Sequence, residues 1–86
     1  MPVTLSTAPP DAPHEVLDIV GAIGTTTGGA FSGGPRLSDA LDDCKANLRA
    51  RAEELGADAV VSCGFETTYD SRSINIAAYG TAVKWR

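Results

Sequence analysis

Apolar and polar positions along this 86-residue chain fall into four runs, three with the period of a strand and one with that of a helix. From Glu15 to Ile23, Leu17, Ile19 and Ile23 lie on one side, and Val16, Val20 and Ala22 share the other with Asp18. Apolar residues on both sides predict a strand covered on both faces. Leu37, Leu41, Cys44, Leu48, Ala52 and Leu55 then recur at steps of 4, 3, 4, 4 and 3, the stripe of an amphipathic helix. Pro35 suits its first turn, Asp39, Asp42 and Asp43 lie near the positive end of its dipole, and Gly56 is placed to end it. Alternation returns from Ala59 to Tyr69, with Ala59, Val61, Cys63 and Phe65 on one face and Val60, Ser62, Gly64 and Glu66 on the other. Turn chemistry at Asp70-Ser71-Arg72-Ser73 leads into a third strand, Ile74 to Trp85, antiparallel to the second. Gly80 suggests a bulge within it.

This order predicts a single α+β domain with βαββ topology. Three strands form a mainly antiparallel sheet, and one helix packs on one face. Residues 1–14, with Pro9-Pro10-Asp11-Ala12-Pro13, read as a flexible N-terminal tail, and 15–86 as the domain. Six of the nine glycines lie between residues 21 and 34, so Gly24 to Gly34 reads as a flexible loop. One helix leaves the second sheet face open, with Val16, Val20, Val60 and one side of the third strand in water. Either side of that strand is apolar, and apolar surface that one copy cannot bury predicts self-association.

Composition narrows the partners. A net charge of −4 gives no basic patch for phosphate, and five aromatic residues, Phe31, Phe65, Tyr69, Tyr79 and Trp85, give no stacking platform. Nucleic acid and anionic membranes are therefore not expected as partners. The chain shows no apolar run of spanning length and no signal-peptide pattern at Met1-Pro2-Val3-Thr4-Leu5. With only two cysteines, a reducing cytoplasmic location is expected.

Those cysteines are the sharpest chemical candidates. Cys44 and Cys63 both point toward the expected helix–sheet core, and as thiolates they suit a soft divalent metal. No CxxC spacing accompanies them, and a cysteine on an apolar stripe also packs as a small hydrophobe. His14 is the single histidine and reads as solvent-exposed at the edge of the tail. The glycine-rich stretch matches no phosphate-binding pattern, and Arg36 is its one favourable charge. Trp85 reads as an interface anchor, and Glu66 as a mid-strand carboxylate facing a neighbouring copy. No residues form a catalytic constellation, so no enzymatic activity is expected.

Ala52-Glu53-Glu54-Leu55-Gly56-Ala57-Asp58-Ala59-Val60-Val61, followed by Tyr79-Gly80-Thr81-Ala82-Val83-Lys84, resembles the YbjQ-like family. Members end a helix on a Leu-Gly-Ala-Asp/Asn-Ala-Val-Val junction and finish on a Gly-Thr-Ala-Val strand. The resemblance implies a dodecin-like subunit that assembles into a ring, a pentamer, under a heavy-metal-binding label. It leaves two alternatives: an oligomeric binder of a small ligand, flavin or an anion, and an interaction domain similar to that of the Rcs envelope stress sensor. The protein partner in the latter case is unknown, and that sensor's disulfides and lipoprotein signal are not visible here. Independently of the family, Gly56 suits a left-handed cap, Ala57 permits close helix–sheet approach, and Asp58 bonds local backbone donors.

Overall fold

The computed structural model describes residues 3–27, 36–69 and 73–86. Its elements are β1 (Thr4–Leu5), β2 (His14–Thr27), α1 (Leu37–Glu54), β3 (Ala59–Tyr69) and β4 (Ser73–Trp85). They form one sheet of order β1-β3-β4-β2, with β2 and β3 antiparallel to β4 and β1 parallel to β3. The α+β class with one helix matches the expectation. The sheet is four-stranded and mixed, which corrects the expected three strands.

The extra strand also moves the start of regular structure from Glu15 to Thr4. Val3 is buried at 2% exposure, and Thr4 N and Ser6 N donate to the carbonyls of Asp58 and Val60. The outer edge of β3 carries backbone groups that need partners, and the N-terminal residues supply them. Two paired residues have no visible period, so the pattern of the sequence does not announce β1.

β2 runs on to Thr27, past the expected boundary at Ile23, so Gly24 belongs to a strand. The rest of the glycine-rich stretch, residues 28–35, lies outside the described residues, as does the turn at 70–72. Tyr69 pairs with Ile74, and β3 and β4 are antiparallel neighbours, as expected.

α1 ends as the junction motif implies. Gly56 has φ +75, its N–H donates to Glu53 O at 3.0 Å, and Ala57 N donates to Ala52 O at 3.1 Å. This is the paired-bond Schellman ending, in which glycine removes the Cβ penalty of the left-handed turn. Asp58 works at longer range than expected: its Oδ2 accepts from Trp85 N at 2.9 Å, and its own N–H donates to Val83 O. The junction therefore ties the helix end to the last strand.

Two bulges decide which side chains form the core. The β2–β4 register shifts between Val16 and Asp18. This moves Leu17 to the side of Val20 and Ala22, and Val16 to the side of Ile19 and Ile23, so those two residues exchange sides while the rest of the expected partition stands. A second shift lies between Val61 and Gly64 of β3, where Ser62 adopts φ +54. It brings Val60 and Cys63 onto the helix-facing side and leaves Ala59 and Val61 in a separate cluster with Val83. The bulge expected at Gly80 is thus on the strand opposite, and Gly80 pairs in register with Val20.

The main core joins Ala40, Cys44, Leu48 and Ala52 of α1 to Val20, Val60, Cys63, Ile74, Ile76, Ala78 and Ala82. Leu37 and Leu55, the ends of the expected stripe, stay exposed, while Ala40, which the stripe omitted, is sealed. The helix lies mainly over β2 and β4. Its seat is Gly24, where a Cβ would stand 2.3 Å from both Ala40 O and Cys44 N.

Candidate functional site

The helix seat fixes both cysteines. Cys44 lies beneath α1 with its Sγ 3.7 Å from Ala22 O on β2. Cys63 is held by the β3 bulge with its Sγ 3.5 Å from Val60 O. β2 and β3 flank β4, and Ala22 lies opposite Ala78 while Val60 lies opposite Ala82, so the two thiols donate to carbonyls two strands and four residues apart, about 16 Å. Both are free. Burial raises the Cys44 thiol above its ordinary value against a backbone hydrogen bond at Gly24, and the Asp43 carboxylate adds to the rise. Burial likewise raises Cys63, opposed by a backbone hydrogen bond at Ser6. Each thiol therefore keeps its proton at neutral pH. Among the described residues, no three His, Cys, Asp or Glu side chains converge as a metal set.

Because α1 sits over β2 and β4, the helix-facing side of β3 is only partly covered. A groove of about 400 Å³ remains there, lined by Leu5, Ser6, Thr7, Lys45, Arg49, Cys63 and Phe65. Its floor is apolar, its β1-side rim carries two hydroxyls, and its helix wall carries two cations four residues apart. Arg49 Nε donates to Val3 O at 3.3 Å, which orients the guanidinium. Ser6 Oγ accepts from Ala8 N, which leaves its own proton free to donate. Among the described residues, no carboxylate lines the groove. The cations were not among the expected site residues; the signal was available in two like charges at i,i+4 beside the apolar stripe.

The other face of the sheet is sealed at Ala59, Val61 and Val83 and exposes an apolar row beside them. The register places Trp85, Tyr79 and Ala77 of β4 beside His14, Gly21 and Ile23 of β2, with Val16 and Ile19 in the same row. Among the described residues, Val16, Ile19, Ile23, Tyr79 and Trp85 make five of the eight exposed large apolar side chains, and Ile19 reaches 76% exposure. A Cβ on Gly64 would fall within 2.5 Å of the Tyr79 ring, so that ring lies across β3. Glu66 pairs with Ala77 and is exposed on this face. Val20 and Val60, expected here, are in the core instead, for the bulge reasons given above. His14 belongs to β2 and packs edge-on against Trp85, with Nδ1 2.9 Å from Ala12 O.

Backbone groups at the outer edge of β2 are occupied by side chains. Asp18 Oδ1 accepts from Ile19 N, Asp43 Oδ2 from Thr25 N, and Asn47 Nδ2 donates to Ile23 O. An edge capped in this way is a poor template for another strand. The apolar face carries no such protection.

Fold and surface define a small helix-on-sheet domain with one helix-covered face, an exposed apolar row on the other face and a cationic groove. A family model described as "Putative heavy-metal-binding" matches residues 11–86, and the chain belongs to that family, YbjQ. A UPF0145 protein of Colwellia psychrerythraea is 41% identical over 75 residues, covering 85% of this chain and 71% of the relative. One of Thermotoga maritima is 39% identical over 73 residues, covering 83% and 69%. One of Natronomonas pharaonis is 45% identical over 51 residues, covering 58% of this chain and 49% of its own, so the match spans about half of that relative. The fold is similar to a crystal structure of a DUF74-family protein of unknown function from Pediococcus pentosaceus, with TM-score 0.84, 16% identity and 98% of each chain covered. No described helix is long and apolar enough to cross a membrane.

Proposed function

We propose that this protein is a non-enzymatic, self-assembling module whose copies associate through the open face of the sheet, closing into a pentameric ring. The exposed row Val16, Ile19, Ile23, Tyr79 and Trp85 carries this reading. Each such side chain, once covered, contributes about 1.5–3 kcal/mol, and a chain of this size has little core to spare. The capped β2 edge supports packing through the sheet face over strand addition at that edge, and closure of a five-fold ring has that face meet a different surface of the next copy. Two free cysteines fit a reducing, cytoplasmic setting. Native mass spectrometry of the purified chain tests the assembly: a closed oligomer is expected, and a monomer at micromolar concentration refutes it.

A second reading, a soft divalent metal on Cys44 and Cys63, is favoured by the family description. Within one chain the two thiols serve different strands, so a full ligand set draws on more than one copy. Cys63 is the thiol that borders a groove. Metal analysis of the native protein and of Cys44→Ser and Cys63→Ser tests this, and absence of stoichiometric metal from the native protein overturns it.

A further inference from the structure

We infer that the groove between α1 and the β1–β3 edge is a binding site for a small amphipathic organic anion, a carboxylate or phosphate head on an apolar body. It does not depend on assembly. The charge pattern points first. In a chain of net charge −4, Lys45 and Arg49 stand together on one wall, and no acidic residue among those described lines the groove. Like charges at i,i+4 oppose helix formation, and the one ion pair among the described residues, Arg51–Glu54, lies elsewhere. An anion seated between these cations relieves the repulsion.

The geometry supplies the other contacts. The backbone anchor of Arg49 at Val3 O leaves its terminal nitrogens for a ligand, and charge-assisted bonds from guanidinium to carboxylate or phosphate are among the strongest available. The hydroxyls of Ser6 and Thr7 line the same groove and can donate to the same head. Leu5, Cys63 and Phe65 offer an apolar surface for the body of the ligand. The volume, about 400 Å³, falls within the range of small-molecule pockets.

Hexanoate is the probe, followed by amide chemical-shift titration of the full chain, with hexanol as the neutral match. Hexanoate is expected to shift Ser6, Thr7, Lys45, Arg49, Cys63 and Phe65, and to bind at least about tenfold more tightly than hexanol, as loss of a charged hydrogen-bond partner implies. Lys45→Gln and Arg49→Gln together are expected to abolish that preference. Because Arg49 also anchors Val3, Lys45→Gln alone serves as the second variant, and it is expected to weaken hexanoate while leaving hexanol unchanged. Equal binding of acid and alcohol, shifts confined to Ile19, Ile23 and Tyr79 on the open face, no binding, or unchanged affinity in Lys45→Gln would each overturn the inference.

Discussion

Gly24→Ala is the substitution that probes the helix seat most sharply. The added Cβ would stand 2.3 Å from Ala40 O and Cys44 N and 2.6 Å from Cys44 Cα, all backbone atoms of α1. Ordinary contact begins near 3.4 Å, so relief requires the helix to retreat by about 1 Å, since no side-chain tip can swing aside. A gap of that size forfeits about a quarter to a half of each dispersion contact it opens. The contacts at risk are those of Cys44, Leu48 and Ala52 with the sheet, together with the Asp43–Thr25 and Asn47–Ile23 bonds. Overpacking of this kind costs about 1–3 kcal/mol, against a total stability on the order of 4–13 kcal/mol for a domain of this length. Thermal unfolding at fixed protein concentration should therefore fall by roughly 5–20 °C. Gly21→Ala is the matched control, because its Cβ would meet Ala78 O at an ordinary 3.4 Å. A Gly24→Ala melting temperature equal to that of Gly21→Ala would refute the close approach of helix and strand.

Three further outcomes follow from the same geometry. Ser62 holds φ +54 in the β3 bulge, so Ser62→Gly should stabilise by about 0.5–1 kcal/mol in urea unfolding, and a loss of stability would contradict the strained turn. Both thiols have raised pKa values when folded, so the unfolded chain ionises first as pH rises. The stabilising difference is intact below the unfolded thiol value and is lost through the higher folded one, so stability should decline as pH rises past the ordinary thiol value of about 8.5. That decline should be shallower in the Cys44→Ala/Cys63→Ala variant; equal slopes would show that the thiols ionise alike in both states. Ile19→Glu, on the open face, should weaken association by at least about tenfold while leaving the unfolding of the dissociated chain within about 0.5 kcal/mol, measured by dilution-dependent sedimentation.

The elements with long, regular periods were legible in the sequence. The stripe from Leu41 to Ala52 gave α1, and Leu55-Gly56-Ala57-Asp58 gave its ending, because cap chemistry is local. The two faces of β2 and β3 were not legible. A bulge shifts alternation by one residue, and neither Val16–Asp18 nor Val61–Gly64 carries a proline or an Asn-Gly signal to mark it. Both readings of β2 are apolar, so the pattern could not choose between Ile19 and Val20 as the inward residue. The groove was hidden for a different reason. It depends on α1 lying over β2 and β4 rather than β3, an offset set by the contact at Gly24 between residues far apart in sequence. Cys44 and Cys63 stood out by chemistry, yet their separation by β4 follows from strand order, which the sequence leaves open.

The central claim is that the bare face of the sheet holds copies of this chain together. Sedimentation equilibrium of the wild type and of Ile19→Glu/Ile23→Glu, at equal micromolar concentration, measures it most directly. The account predicts a wild-type mass about five times the 8.9 kDa of one chain and a folded monomer for the double variant. A monomeric wild type, or an assembly unmoved by both charges, would contradict it.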